Sequence, residues 1–140
     1  MPLLLRGLEV ADPETRWKII EILSKNINAF SSEKLLSTYA STLVVTMLKN
    51  CTVADVPEHV SDACPTFRAS YDDVVQKVRV AALKYLALLP SAVRYDLLHP
   101  YKPHVLKELG KALDDPKRAV RKEAVDARFV LLSAPIYADY

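Results

Sequence analysis

Glycine is nearly absent from this sequence of 140 residues, which contains only Gly7 and Gly110. Loops that cradle phosphate need glycine at several closely spaced backbone positions, so nucleotide-binding loops of that kind are disfavoured. Two cysteines do not make the disulfide framework of a small secreted domain. No apolar run approaches the ~20 residues of a membrane span, and no secretory leader is recognisable at the start. The sequence therefore predicts a protein of the cytoplasm or nucleus, with no membrane segment.

The composition that is present favours helices. Hydrophobic residues make up 51% of the chain, which is enough for a substantial core, and the formal net charge is only +2. So small a charge argues against general electrostatic attraction to nucleic acid. Leucine, alanine, lysine and glutamate are abundant, and all four are good helix formers. The nine prolines are then expected at helix ends and in loops.

Helical periodicity recurs along most of the chain. The first clear pattern follows Asp12, a natural N-cap, and Pro13, which suits the first helical position. In contrast, residues 51–71 lose the periodicity and accumulate Pro, Ser and Asp, so a long loop is predicted there. Further helices are predicted over residues 31–50, 72–90, 91–100, 101–113 and 114–132.

An internal repeat appears when the sequence is aligned on Asp73 and Asp115, which are 42 residues apart. Each aspartate is followed at the same distances by valine, arginine and alanine: Val78, Arg79 and Ala82, then Val120, Arg121 and Ala124. A spacing of ~40–47 residues is typical of HEAT and armadillo repeats. A looser copy follows Asp12, and the interval from there to Asp73 is longer by about the length of residues 51–71. That loop is therefore predicted to be an insertion within one repeat.

The repeat predicts an all-α fold, a HEAT-repeat solenoid fragment of about three helical hairpins, with residues 1–140 forming a single domain. A helical hairpin is too thin to bury its own apolar side, so neighbouring hairpins must stack. The small alanine of the repeat is expected where the two helices of a hairpin approach closely. On the last helix, spacings of four, three and four residues predict a buried line of Val120, Ala124, Ala127 and Leu131.

One block of the sequence resembles a known family. Residues 100–128, "PYKPHVLKELGKALDDPKRAVRKEAVDAR", look like the extreme C-terminus of the Mms-nineteen family, whereas the upstream repeats resemble HEAT repeats in general. The chain begins within a repeat, which predicts a fragment of a longer scaffold.

The resemblance implies an adaptor of the cytosolic iron–sulfur protein assembly targeting complex, with no catalytic activity of its own. It implies two partner subunits for the C-terminal repeats, a small acidic-motif protein and a WD-repeat propeller. Client apo-enzymes of DNA replication and repair would be reached indirectly through this complex. The location that follows from the resemblance is cytoplasm and nucleus.

Basic residues of the last helix are the main candidates for partner binding. Those that lie off the predicted buried line are Lys117, Arg118, Lys122 and Arg128. An acidic protein partner would pair with them, and a merely solvated helix face is the alternative. Three further candidates occupy the preceding turn: Tyr101, Lys102 and His104. Nucleic acid is disfavoured because acidic residues are interspersed and no aromatic platform accompanies the charges.

Two arginines at one repeat position are predicted to be structural. Arg79 and Arg121 would each hydrogen-bond a capping aspartate, Asp73 or Asp115, of the same or a neighbouring repeat. Such a ladder would satisfy the donors and acceptors at helix starts without touching a partner.

No chemistry of a metal site or an enzyme is predicted. Four possible metal ligands occur between residues 51 and 64, but the closely paired cysteines of zinc sites are missing: Cys51, Asp55, His59 and Cys64. No nucleophile stands beside a base, so neither catalysis nor a cofactor is expected. Two alternatives remain open: a HEAT fragment of an unrelated scaffold, such as a transport receptor or phosphatase regulatory subunit, and direct DNA binding, whose affinity would fall with salt.

Overall fold

The computed structural model describes residues 6–9, 12–26, 33–51, 62, 64–92 and 99–133. Residues 6–9 are helical, and a 3₁₀ turn, His99–Tyr101, leads into the fourth helix. The five α-helices are α1 (Pro13–Lys25), α2 (Glu33–Asn50), α3 (Pro65–Ala92), α4 (Lys102–Ala112) and α5 (Arg118–Ser133). These ranges contain no β-strand, and none of the helices within them is long and apolar enough to cross a membrane.

The helices form two layers. In one layer α3 lies between α1 and α5 and packs along both. Helices α2 and α4 form the other layer, in which α2 packs against α3 and α4 packs against α5. The hairpins α2/α3 and α4/α5 therefore stack side by side, and α1 packs against α3 next to them. Successive hairpins that bury their apolar sides against one another make an α-solenoid. The predicted all-α, HEAT-like architecture is confirmed.

The core follows the predicted repeat closely in α3 and α5. Ala82 and Ala124, at equivalent positions, are both 0% exposed, and the valines four residues before them are also buried. The predicted buried line of α5 is fully inside the protein: Val120, Ala124, Ala127 and Leu131. In α1 the buried residues Ile20 and Leu23 lie one position closer to Asp12 than Ala124 and Ala127 lie to Asp115. Trp17, at the position that corresponds to Val120, is only half-buried. The third copy thus keeps the helix but not the register.

Ala124 provides a direct test of the close helix packing. We expect Ala124→Leu to lower the free energy of unfolding by about 1–3 kcal/mol, because a close-packed interior has no room for three extra carbon atoms. Ala119→Leu, on the exposed side of the same helix, is the matched control and should change stability by less than ~0.5 kcal/mol. Chemical denaturation measures both. Equal midpoints for the two variants would contradict the packing described here.

Polar contacts fasten α1 to its neighbours. Arg16 Nη1 donates to Asn50 Oδ1 at 3.0 Å, and Asn50 Nδ2 donates to the carbonyl oxygen of Thr46 at 2.8 Å. Asn50 is 4% exposed, so its amide has to find partners inside the protein. On the other side of α1, Lys77 of α3 lies over the ring of Trp17, with Nζ 5.1 Å from the ring centroid. Both layers are thereby tied to α1.

Helix α3 differs from the sequence-based prediction at both ends. It begins at Pro65, so residues 65–71, assigned to the loop, are helical. Residues 65–70 are all exposed, and a helix end without a buried side leaves no hydrophobic period in the sequence. At the other end, the helix continues through Pro90 to Ala92 instead of stopping at the proline. Proline is tolerated there because it removes a hydrogen bond only from the last turn.

The early start of α3 also overturns the predicted cap at Asp73. This residue lies well inside the helix, where no free N–H group needs a cap, and its Oδ2 sits 3.6 Å from Lys77 Nζ in an exposed ion pair. Residues 52–61 and 93–98 lie outside the described residues, so the insertion in the loop and the predicted short helix after Pro90 stay predictions.

Candidate protein-binding surface on the last helix

The turn that starts α5 is built around the buried carboxylate of Asp115. Its Oδ1 accepts the backbone N–H of Lys117 at 2.9 Å, which satisfies a donor at the helix start. Arg79 of α3 approaches the same carboxylate, with Nε 2.8 Å from Oδ2 and Nη2 donating to Oδ1 at 3.3 Å. Asp115 is 3% exposed and Arg79 is 5% exposed. This buried ion pair fixes where α5 begins relative to α3.

Arg121 completes the junction from within α5. Its Nη1 donates to the backbone carbonyl oxygen of Asp115 at 2.7 Å. Arg79 and Arg121, at the same repeat position, therefore bond different atoms of one residue, Asp115, which belongs to the later repeat. Asp73 takes no part in the junction, since it pairs with Lys77 on the exposed side of α3.

The four basic candidates of the α5 region have different surroundings. Lys117 is half-buried, and its Nζ lies 3.6 Å from Asp72 Oδ2 on α3. Lys122 is exposed and lies 3.6 Å from Asp126, a surface pair that contributes little to stability. Arg118 and Arg128 are exposed and form no ion pair within the described part of the chain. The surface cations of α5 are thus Arg118, Lys122 and Arg128, whereas Lys117 links two helices.

The other three candidates lie at the beginning of α4. Tyr101 is half-buried and packs against the core, Lys102 is the first residue of the helix, and His104 is exposed. A connection of only residues 113–117 makes α4 and α5 antiparallel neighbours. The beginning of α4 therefore lies at the opposite end of the hairpin from Arg118. The structure does not bring the two predicted sets into one cluster.

An apolar stripe on the solvent side of α5 was missed by the sequence analysis. Val125, Phe129 and Leu132 are 55%, 69% and 52% exposed. Their spacing of four and three residues places them on one side of the helix, opposite the buried line. Arg118 and Lys122 continue the same side toward the helix start. These five residues, Arg118, Lys122, Val125, Phe129 and Leu132, are called the outer face of α5 below.

The cations at the start of α5 oppose the electrostatics of the helix. Arg118 is its first residue, and the first turn contains no acidic residue. The N-terminus of a helix carries a partial positive charge, so an arginine there is less favourable than a neutral or acidic residue. Arg118 is exposed, and no ion pair within the described residues offsets this cost.

The described residues offer little for metal binding or covalent chemistry. Cys51 is buried, and its Sγ lies 3.2 Å from the carbonyl oxygen of Leu48. Burial raises the pKa of Cys51 to about 12, so the thiol stays protonated at neutral pH. Cys64 is exposed, while Asp55 and His59 lie outside the described residues. Within the described ranges, no three His, Cys, Asp or Glu side chains form a group able to hold a metal ion.

A groove of about 430 Å³ lies between the first turns of α1 and α3. Its described lining combines the aromatic rings of Phe67 and Tyr71 with the carboxylates of Asp12 and Glu14, and it includes no histidine, cysteine or lysine. A serine is present, but no neutral base stands beside it to activate the hydroxyl. The lining therefore does not resemble a catalytic site.

Comparison with known proteins places the chain in a family. Residues 1–90 match the family model MMS19_C, described as RNAPII transcription regulator C-terminal. The chain is 32% identical to the MMS19 nucleotide excision repair protein homolog of Bos taurus and 29% identical to that of Xenopus tropicalis, in both cases over 96% of its length. Identity to the DNA repair/transcription protein mms19 of Schizosaccharomyces pombe is 30% over 91% of the chain.

The chain spans 15% of the length of the two vertebrate relatives and 11% of the Schizosaccharomyces pombe relative. The alignments reach well beyond residues 100–128, on which the resemblance was first identified, and the matching family model lies entirely upstream of that block. This chain belongs to the MMS19 family and corresponds to its C-terminal region.

Proposed function

We propose that this chain is a non-catalytic, protein-binding segment of an MMS19 scaffold. It holds partner subunits of the cytosolic iron–sulfur protein assembly targeting complex, a small acidic-motif protein and a WD-repeat propeller, in the cytoplasm and nucleus. Clusters then reach apo-enzymes of DNA replication and repair through the assembled complex. Family membership supports this proposal, since the relatives are named for nucleotide excision repair and for DNA repair and transcription.

The observation that carries the proposal is the outer face of α5. Three large apolar side chains lie exposed beside the surface cations Arg118, Lys122 and Arg128. A contiguous exposed apolar patch on a folded protein usually marks an interaction site, and protein interfaces are enriched in aromatic residues and arginine. A nucleic-acid surface would need cations where these apolar side chains stand, and Asp126 weakens the field further.

A double charge reversal tests this proposal. We expect Arg118→Glu with Lys122→Glu to reduce co-purification of the two partner subunits by at least about tenfold, because the new carboxylates repel an acidic partner. In contrast, Arg118→Glu alone should raise the free energy of unfolding by about 0.3–1 kcal/mol, because glutamate is favoured at a helix start. Pull-down and chemical denaturation measure the two effects. Chemical denaturation of the double variant itself shows whether it is folded, so that lost binding can be assigned to the changed surface.

The matched control carries the same change in net charge on another helix. Lys18→Glu with Lys25→Glu alters exposed lysines of α1 and should leave co-purification unchanged. If the α5 double variant retains its partners as fully as this control does, the outer face of α5 is not the docking surface. Equal losses in both variants would instead indicate a non-specific effect of net charge and would also contradict the proposal.

A further inference from the structure

The outer face of α5 has the spacing of a coiled-coil seam. Residues 118, 122, 125, 129 and 132 are separated by four, three, four and three positions, which is the a/d pattern of the heptad repeat. Such a stripe drifts by only about 20° per heptad, so it remains on one side of the helix over roughly 21 Å. The positions that flank it include the charged residues Asp126 and Arg128, both exposed. The apolar stripe is therefore narrow.

The width and the side chains of this stripe distinguish it from a stacking surface. The buried line of α5 contains small residues, Ala124 and Ala127, which let α5 pack closely within the solenoid. The outer face instead presents the large ring of Phe129 between Val125 and Leu132. A helix that packs into a globular core has a wide apolar side, whereas a strict a/d stripe is typical of pairing with a single helix.

Among the residues whose exposure the structure describes, only α5 carries several exposed large apolar side chains on one side of a helix. The other large apolar side chains with substantial exposure are Ile22 on α1, Val45 on α2, and Phe67 and Leu88 on α3. The two on α3 lie at opposite ends of that helix and cannot share a contact. Isolated exposed apolar residues are ordinary, but three on one helix side are not.

The cations on the outer face of α5 indicate which charged residues a partner would carry. The first part of the seam presents Arg118 and Lys122, and Arg128 flanks the apolar part. The carboxylates that lie near the seam's cations are those of Asp126, 3.6 Å from Lys122, and Glu123, 3.9 Å from the same lysine. Arg118 has no ion-pair partner within the described ranges. An acidic side chain on the partner would therefore complete the charge pairing at this end.

We propose that the outer face of α5 pairs with one amphipathic helix of a partner subunit. The partner helix places apolar residues over Val125, Phe129 and Leu132, and glutamate or aspartate beside Arg118 and Lys122. Phe129 is the central anchor because its ring is the most exposed of the three and lies between the other two. This assignment rests on the proposed function, since the helix belongs to a subunit that the scaffold holds.

A designed peptide tests the pairing without knowledge of the natural sequence. The probe is a three-heptad peptide with leucine at the a and d positions of one half and glutamate at those of the other half. Its control is a permuted peptide of the same composition without the heptad pattern. With the full 140-residue chain, we expect the probe to bind, to gain helicity, and to shift amide resonances of residues 118–132. If the permuted peptide binds as tightly as the probe, the outer face of α5 does not recognise the heptad pattern, and the proposed pairing is wrong.

Two phenylalanine variants locate the contact. Phe129→Ala should weaken probe binding by at least about tenfold, because aromatic anchors at an interface centre carry a large share of the binding energy. Phe67→Ala removes the same side chain from an exposed site on α3 and should leave the affinity unchanged. An unchanged affinity in Phe129→Ala refutes the pairing. So does self-association of the chain that disappears in Phe129→Ala while the probe fails to bind, since the seam would then serve a second copy.

Co-purification with the natural subunits separates this inference from the proposed function. Partner capture that is lost in the Arg118→Glu, Lys122→Glu variant but retained in Phe129→Ala would overturn the helix pairing and leave the scaffold function standing. Loss of partner capture in both variants supports both the helix pairing and the scaffold function. Absence of capture by the unaltered chain overturns the proposed function. The peptide experiment alone then shows whether the outer face of α5 binds an amphipathic helix.

Discussion

Replacing Asp115 with alanine is expected to lower the free energy of unfolding by about 3–5 kcal/mol. The change leaves the guanidinium of Arg79, which is 5% exposed, without an anion in a region that water hardly reaches. It also removes the oxygen that accepts the N–H of Lys117, and the loss of a capping acceptor alone costs about 1 kcal/mol. Equilibrium denaturation in urea, followed by circular dichroism, measures the effect.

Two further variants separate the charge from the cap, and a third is a control. Asp115→Asn keeps an oxygen for the Lys117 N–H but not the charge, so most of the loss should remain. Adding Arg79→Met to Asp115→Asn should recover part of it, because the unpaired buried charge is then gone. Asp114→Ala, at the exposed neighbouring aspartate, should have little effect. If Asp115→Ala and Asp114→Ala unfold at the same urea concentration, the buried ion pair does not hold α5 in place.

The Asp115 junction and the outer face of α5 are mechanically related. The ion pair with Arg79 fixes the start of α5 against α3, and the buried line that follows fixes the rotation of α5 about its own axis. With the rotation fixed, residues 125, 129 and 132 can only point away from the solenoid. Such rigidity suits the proposed binding function, because a surface that is positioned before a partner arrives loses less entropy on binding.

The repeat is visible in the sequence because each copy carries the same pattern of residues at its buried positions. A closely packed helix needs a small residue at one position and larger apolar residues at helical spacings around it, and the fully buried Ala82 and Ala124 match this pattern. The start of α3 was not visible, because residues 65–70 bury nothing and so carry no hydrophobic period. Because the hydrophobic period becomes recognisable only after Asp73, this residue resembles the N-cap of a helix that in fact begins at Pro65.

The outer face was present in the sequence but was ambiguous there. Helix α5 carries two apolar series, one through Val120 and Leu131 and one through Val125 and Phe129. Spacing alone shows that both are helical, but which series is buried depends on how α3 and α4 pack against the helix. The small residues of the first series indicate the inner side, whereas exposure of the second could be established only from the structure.

Leu86 offers the second large effect, at the centre of the stack. Its side chain is 0% exposed on α3, the helix that packs against α1, α2 and α5. We expect Leu86→Ala to lower the free energy of unfolding by about 2–5 kcal/mol, because lost burial and the remaining cavity both destabilise the folded state. Leu88→Ala, two residues further along at a side chain that is 38% exposed, should cost less than about 1 kcal/mol.

The shape of the Leu86→Ala transition carries as much information as its midpoint. Because α3 contacts a helix of every hairpin, the variant should still unfold in one cooperative transition, shifted to lower urea and with an unchanged slope. A solenoid whose hairpins were only weakly coupled would instead show two steps, as the hairpins on either side of α3 separated. Two steps would contradict the continuous core described here. A shift no larger than that of Leu88→Ala would contradict the burial of Leu86 itself.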